Sequence, residues 1–337
     1  MQKKIVYVGF CYPHHRNTHA GYNRIKDYLK YDYVIDCNRE MDFVGKTPKN
    51  PIVRIIRKVS RIILGVGVPI NIIKCILLSL THRNLVFHFI YPEISFKWLH
   101  NFKFSNKIVF TIHQPFDKLV NSSLDRYVKY ADALILMSDI NINDIKKRYE
   151  CENAIFIPHG IDMGFYQPDI NVKKSEQICM VGSWLRDFDF ASKVFTELKH
   201  KHPNLNVIAV TAKENFEKLP NFVDKKTGIT DDELLSVYQQ SQCVFLPMYS
   251  FTANNAVLES MSTGCQLVIS SPNIDKSYFT DDDVFFTNHN IQDAIDCIES
   301  VVYKNVRKDT NNIRRRIKQQ FEWSHVAEVT KSFLAKA

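Results

Sequence analysis

Glycine is scarce in this chain, with ten in 337 residues. That is too few for a glycine-rich or collagen-like repeat, where glycine recurs at short fixed intervals. No C-x-x-C spacing occurs among the eight cysteines, so the usual zinc and redox patterns are missing. Most of the cysteines lie in apolar runs such as residues 242–247, the setting of buried free thiols. A reduced, cytosolic compartment is the expectation. No apolar core of signal-peptide length follows Lys3 and Lys4, and residues 4–9 read as a strand. An unbroken run of about 20 apolar residues, as a membrane span needs, is also missing. Residues 62–80 come nearest, but Gly65, Gly67, Pro69, Asn71 and Lys74 interrupt them.

Acidic residues are nearly absent from one window. Residues 43–116 carry eleven Lys and Arg against a single acid, Glu93. The window is +10 in a chain whose total is +8, so the remainder is slightly acidic. Within it Arg54, Arg57, Lys58 and Arg61 fall at i, i+3, i+4 and i+7, on one helix face. Ile55, Ile56, Val59, Ile62 and Ile63 lie largely on the other. A basic amphipathic helix of this kind suits an anionic membrane surface. The competing reading is a core helix with a solvated basic face. Nucleic acid is not expected as a partner, because aliphatic rather than aromatic residues alternate with the charge.

What is present is an ordinary globular composition, 45% apolar, with 23 Phe and 15 Tyr to fill cores. Short β-rich runs alternate with helical patterns along the whole length. Strands are expected at residues 4–9, 33–36, 85–90, 107–112 and 133–137, then at 177–181, 206–210, 243–247 and 266–270. Helices are expected at 188–200, 231–240 and 254–263. Such alternation predicts parallel sheets with right-handed crossovers. The length suits two doubly wound α/β domains. Their boundary falls in the proline-containing stretch near residues 158–168, which gives domains at 1–165 and 166–320 and a final helix at 321–337.

Ligands of parallel α/β sheets bind beyond the carboxyl ends of the strands, so the loops there hold the candidates. Residues 247–264 read PMYSFTANNAVLESMSTG. Asn254 or Asn255 can cap the helix that follows and present a positive terminus to a phosphate. Glu259, one turn further, can accept the two hydroxyls of a ribose, or can be a plain polar residue on a capped helix. Residues 181–189 read VGSWLRDFD. Gly182 allows a tight turn, and Arg186 carries a planar fork suited to a diphosphate. The bland alternative for Arg186 is a surface pairing with Asp187 or Asp189. Lys213 is a further cation in the loop after the strand ending at Val210. In the first half, His113 follows a strand, and His19 and Gly21 follow the loop of the first strand. The cluster His14, His15 and His19 lacks an evident carboxylate partner, and no metal is assigned to it.

At this point the residues resemble the GT-B glycosyltransferases, in particular the retaining group called family 4. The resemblance rests on IPHGID (residues 157–162), TGITDDELLSVYQQSQCVFLP (227–247), ANNAVLESMSTGCQLVIS (253–270) and FEWSHVAEV (321–329). It implies two Rossmann-like domains facing each other across a cleft, with the last helix crossing back to the first domain. It implies a nucleotide-sugar donor, UDP- or GDP-linked, in the second domain. Glu259 would hold the ribose, the amides around Asn254 and Asn255 the diphosphate, and Gly228 and Ile229 the nucleobase. His113 would lie on the acceptor side near the transferred sugar, with catalytic roles for His113 and Glu259. Gly21 would belong to the loop over the phosphates.

The chain departs from that pattern at two places. Phe251 stands where the family has the first glutamate of its pair. Ser183 follows Gly182, and Phe188 replaces an expected lysine, which leaves Arg186 as the replacement cation. The expected activity is sugar transfer to a glycan or lipid-linked acceptor at the cytosolic membrane face, in bacterial surface polysaccharide or glycoconjugate synthesis. It would need no metal or cofactor, since cations and helix dipoles can stabilise the leaving diphosphate. The alternatives are an inverting transferase, with His113 or Asp117 as base, and a non-catalytic nucleotide-sugar-binding subunit.

Overall fold

The computed structural model describes residues 3–38, 50–64, 69–94, 99–250, 252–272 and 275–337. The chain divides by its contacts into two units. The first comprises Met1–Asn17, Gly21–Gly160 and Trp323–Ala337, and the second Thr18–Ala20 and Ile161–Glu322.

The first unit is built on β1 (Lys4–Gly9), β2 (Tyr33–Asp36), β3 (Leu85–Phe89), β4 (Lys107–Ile112), β5 (Ala133–Leu136) and β6 (Ala154–Phe156). They form one sheet in the order β2-β1-β3-β4-β5-β6, with every pairing parallel. The second unit repeats the plan with β7 (Gln177–Val181), β8 (Asn206–Val210), β9 (Asp224–Lys226), β10 (Cys243–Pro247), β11 (Gln266–Ser270) and β12 (Phe285–Thr287). Their order is β12-β11-β10-β7-β8-β9, again all parallel. Both units are therefore doubly wound α/β.

The strand sequences explain the burial. LVFHF, ALIL, QICMV and CVFLP are apolar on both faces, and every residue in them is buried. Helices on both sides of a parallel sheet require this continuous run in place of alternation. The edge strands β6, β9 and β12 are only three residues long, and β9 (DKK) is also charged, which limits pairing with other chains. His88 is the polar exception inside β3. Its ring nitrogens meet the Tyr31 hydroxyl at 2.9 Å and the Thr111 hydroxyl at 2.8 Å.

The final helix, Trp323–Lys336, groups with the first unit. Trp323 is fully buried, with its ring 5.7 Å from Tyr22 and 5.1 Å from His159. Gly160 faces that indole so closely that an added Cβ would lie 2.2 Å from it. The second unit ends just before this point, where Ile161 bridges Glu322 and its N–H donates to the Phe321 carbonyl at 2.8 Å.

The basic segment is a helix, Pro51–Leu64. Ile52, Ile55, Ile56, Val59 and Ile62 on it are exposed, so it does not pack as a core helix. Arg54 and Lys58 are exposed as well, while the side chains of Arg57 and Arg61 lie outside the described residues. No described helix is long and apolar enough to cross a membrane.

Candidate functional site

The second unit has a topological switch point. Its first strand, β7, is central, and the chain runs outward through β8 and β9 before returning to β10 on the other side. Loops leaving the carboxyl ends of β7 and β10 therefore diverge, and open a crevice where α/β sheets bind ligands. Here the two loops are tied together. The Asp187 N–H donates to the Pro247 carbonyl, and the Tyr249 N–H to the Leu185 carbonyl, both at 3.0 Å. Gly182 makes the turn out of β7 at φ 100°, a conformation that side chains with a Cβ rarely adopt.

Arg186 differs from the outward-reaching cation the sequence predicts. It is 5% exposed and turns inward. Nε donates to the Val181 carbonyl at 3.0 Å, Nη1 to the Trp184 carbonyl at 3.3 Å, and Nη2 to Asn254 Oδ1 at 3.1 Å. The surface pairing with Asp187 or Asp189 is absent as well. Asp187 instead caps the Phe188–Lys201 helix by accepting from the Phe190 N–H, and it meets His289 Nε2 at 3.1 Å. The physical reason lies in the turn, since Gly182 has no Cβ and leaves room for the guanidinium. A Cβ there would stand 2.9 Å from Nη2. Burial lowers the Arg186 pKa to about 10, which still leaves it charged at neutral pH. Its cation thus lies beneath the crevice and braces both loops.

Asn254 is the cap of the Asn255–Ser262 helix, its side chain accepting from the Ala256 N–H at 3.1 Å. One residue therefore joins the positive helix terminus to the buried guanidinium. Asn255 is half-buried at the first helical position. From Ala256 to Ser262 every residue of this helix is buried, which includes Glu259 at 3% exposure. Glu259 is thus not a solvated polar residue on an outer face. Its Oε2 accepts from the Tyr238 hydroxyl at 2.8 Å. Burial raises its pKa to about 7, against the hydrogen bond from Tyr238 that lowers it. Sequence reading misses this tyrosine. Tyr238 sits 21 positions earlier on the Asp231–Gln240 helix, and no local spacing connects it to the carboxylate.

The remaining second-unit candidates have varied settings. Ser183 Oγ meets Thr211 Oγ1 at 2.9 Å and accepts from the Ala212 N–H at 2.9 Å. It ties the β7 loop to the β8 loop. Lys213 is exposed at the start of the Lys213–Lys218 turn that follows. Gly228 is exposed at φ 63°, and half-buried Ile229 leads into Thr230, the cap of the Asp231–Gln240 helix. Thr230 and Glu233 form a reciprocal capping box there. Phe251 and the side chain of His14 lie outside the described residues.

In the first unit His113 follows β4, where the sequence expects it. Its Nε2–H donates to the Ile90 carbonyl at 2.8 Å, and its ring packs 5.0 Å from Tyr22 and 4.8 Å from Tyr91. Burial lowers its pKa to about 4, so the imidazole is neutral. Gly21 turns at φ 95° into the short Tyr22–Arg24 helix. His19 departs from the grouping with Gly21 and His113, because Thr18–Ala20 belongs by contacts to the second unit. Its Nδ1 meets Asp162 Oδ2 at 2.7 Å, its ring stacks on Phe165 at 3.8 Å, and its N–H reaches Asp231.

At the switch point a buried cation, a capped helix terminus and a glycine turn converge, an arrangement suited to an anionic group such as a phosphate. The buried carboxyl one turn further along the helix offers an acceptor for hydroxyls.

No family pattern matches the chain, and no curated protein resembles it in sequence. Solved structures do resemble it in fold. Anabaena HepE in complex with UDP-glucose matches with TM-score 0.68 and 12% identity, over 100% of both chains. A mutant of S. aureus TarM in complex with UDP matches with TM-score 0.62 and 14% identity, over 78% of this chain and 59% of that one. The pneumococcal O-GlcNAc transferase GtfA, in complex with UDP and GlcNAc, matches with TM-score 0.61 and 11% identity, over 78% and 59%. The chain thus spans about three fifths of the length of TarM and GtfA. GT-B glycosyltransferases stand among these neighbours, and the α/β two-unit arrangement is shared with them.

Proposed function

We propose that this chain is a glycosyltransferase that moves a sugar from a UDP- or GDP-sugar to a glycan or lipid-linked acceptor. The observation that carries the reading is the switch point of the second unit, where Arg186 and the Asn254 cap meet beneath the crevice. The solved neighbours that hold UDP favour a uridine donor. In this reading the amides near Asn254 and Asn255 hold the diphosphate, and Arg186 supplies charge from below. Glu259 takes the ribose hydroxyls, Gly228 and Ile229 border the base, and Ser183 and Lys213 flank the phosphates. His113 works on the acceptor side as a neutral imidazole. The leaving diphosphate is stabilised by protein charge and helix dipole, without metal or cofactor.

The reading extends to retention of configuration, and to work in bacterial surface polysaccharide or glycoconjugate synthesis on the inner face of the cell membrane. The test is turnover of a panel of UDP- and GDP-sugars by the purified chain, with NMR of the product anomer. Glu259→Ala is expected to reduce turnover at least tenfold, as for loss of a group that orients the donor. Unchanged turnover refutes the site assignment. Donor binding without turnover in the parent chain favours a non-catalytic nucleotide-sugar-binding subunit.

A further inference from the structure

The Pro69–Thr81 helix is inverted for a water-soluble protein. Asn71, Cys75 and Ser79, at i, i+4 and i+8, form its buried face. Ile73, Leu77 and Leu80, at i, i+4 and i+7, point the opposite way and are 50–55% exposed. At 100° per residue the two sets lie on opposite sides of the helix. A surface helix in water does the reverse, with its apolar stripe toward the core.

The preceding Pro51–Leu64 helix continues the anomaly. Ile52, Ile55, Ile56, Val59 and Ile62 form one stripe, 47–72% exposed. Arg54 and Lys58 sit on another side of that helix and are exposed too. Neither helix contains an acidic residue. Eight large aliphatic side chains are therefore 47–72% exposed within two consecutive helices of one unit. So many exposed large aliphatics on neighbouring segments mark a contact surface. The charge beside it selects the occupant, because a bilayer interface with anionic lipid offers hydrocarbon for the aliphatics and negative headgroups for Arg54 and Lys58.

We propose that the Pro51–Leu64 and Pro69–Thr81 helices insert together into the interfacial layer of an anionic bilayer, with the aliphatic side chains as the anchor and the basic side chains as orientation. The inference rests on the membrane-face part of the proposed function and deepens it. Attraction by the basic face alone weakens within a screening length as salt rises. Hydrocarbon burial does not depend on that screening.

The test is co-sedimentation of the full chain with phosphatidylcholine vesicles containing phosphatidylglycerol, at low and high salt. The paired variant Leu77→Gln with Leu80→Gln is compared with Arg54→Glu with Lys58→Glu. The chain is expected to stay largely bound at high salt, and the leucine pair to lose roughly tenfold or more in partitioning. The charge pair is expected to lose binding chiefly at low salt. Both leucines are half-exposed, so melting temperature and turnover of a soluble donor should not change in that pair, which separates lost anchoring from lost folding. Salt-released binding that ignores the leucine pair overturns insertion and leaves electrostatic docking standing. No vesicle binding by the parent chain overturns the membrane reading altogether, while donor turnover still tests the transferase. A dimer in solution that the leucine pair dissolves assigns the patch to a second copy of the chain and overturns the proposal.

Discussion

Lowering the pH from 7 to 5 should destabilise the first unit. Its core holds His88, whose pKa burial lowers to about 3, and His159, lowered to about 4. Both rings are nearly inaccessible and hydrogen-bonded as neutral imidazoles, His159 through Nδ1–H to the Gly160 carbonyl at 2.7 Å. In the unfolded chain each would titrate near the ordinary histidine value of about 6.5. Below that value the unfolded state binds protons that the folded state refuses, so stability rises with pH and falls on acidification. The loss begins near pH 6.5 and continues down to the folded values near 3 and 4. Between pH 7 and 5 each ring costs roughly 2 kcal/mol by this linkage. Together they remove about 4 kcal/mol, a large part of the 5–15 kcal/mol typical of a domain. His113, half-buried and lowered to about 4, adds in the same direction. Native-state hydrogen exchange resolved by peptide, corrected for intrinsic rates, reads each unit separately. Protection in β3 and β4 should fall by two to three orders of magnitude over this range, by the same linkage. His113→Gln keeps a donor for the Ile90 carbonyl and should flatten the slope by up to one proton. Protection in β3 and β4 that does not change with pH would show that these rings are not held neutral, and would refute the reasoning.

The second unit should respond in the opposite sense at its site. Glu259 is raised to about 7, so its contribution is lost as pH rises from the usual carboxyl range through neutrality. Peptides of the Asn255–Ser262 helix should lose protection between pH 5 and 8. Tyr238→Phe removes a hydrogen-bond donor from that buried carboxyl, and should cost about 1–3 kcal/mol in urea unfolding while raising the Glu259 pKa further. Gly182→Ala forces a Cβ into the left-handed turn and against Arg186. It should cost about 1–3 kcal/mol and weaken donor binding measured by calorimetry, since both loops hang on that guanidinium. Arg186→Lys leaves carbonyl and amide acceptors without the planar fork, and should weaken donor binding with the charge still present.

Much of the architecture was legible along the chain. Continuous apolar runs such as LVFHF and CVFLP, separated by helical patterns, determined a doubly wound α/β chain, because only strands covered on both faces need to be apolar on both. The helix cap was equally local, a side chain and an N–H two residues apart, although the sequence left Asn254 and Asn255 both open and the structure uses Asn254. What escaped was long-range. β9 is a strand made of DKK, with no hydrophobic pattern, and its identity comes only from pairing with β8. Arg186 reads as a diphosphate ligand or else a surface cation, yet its acceptors include Asn254, 68 positions away, and the room for it is created by Gly182. Tyr238 reaches Glu259 across 21 positions and sets its environment.

The sequence by itself determined the fold class, the glycine turn, the helix cap, and the basic stretch with its aliphatic face, because periodicity and capping act within a few residues. Tertiary structure alone decided which of these groups are buried and which exposed. It turned Arg186 inward, buried Glu259 against the Tyr238 hydroxyl, and left Leu77 and Leu80 facing out while Asn71 and Ser79 face in. Burial is a property of what the rest of the chain brings alongside, and that information is not carried by neighbours in sequence.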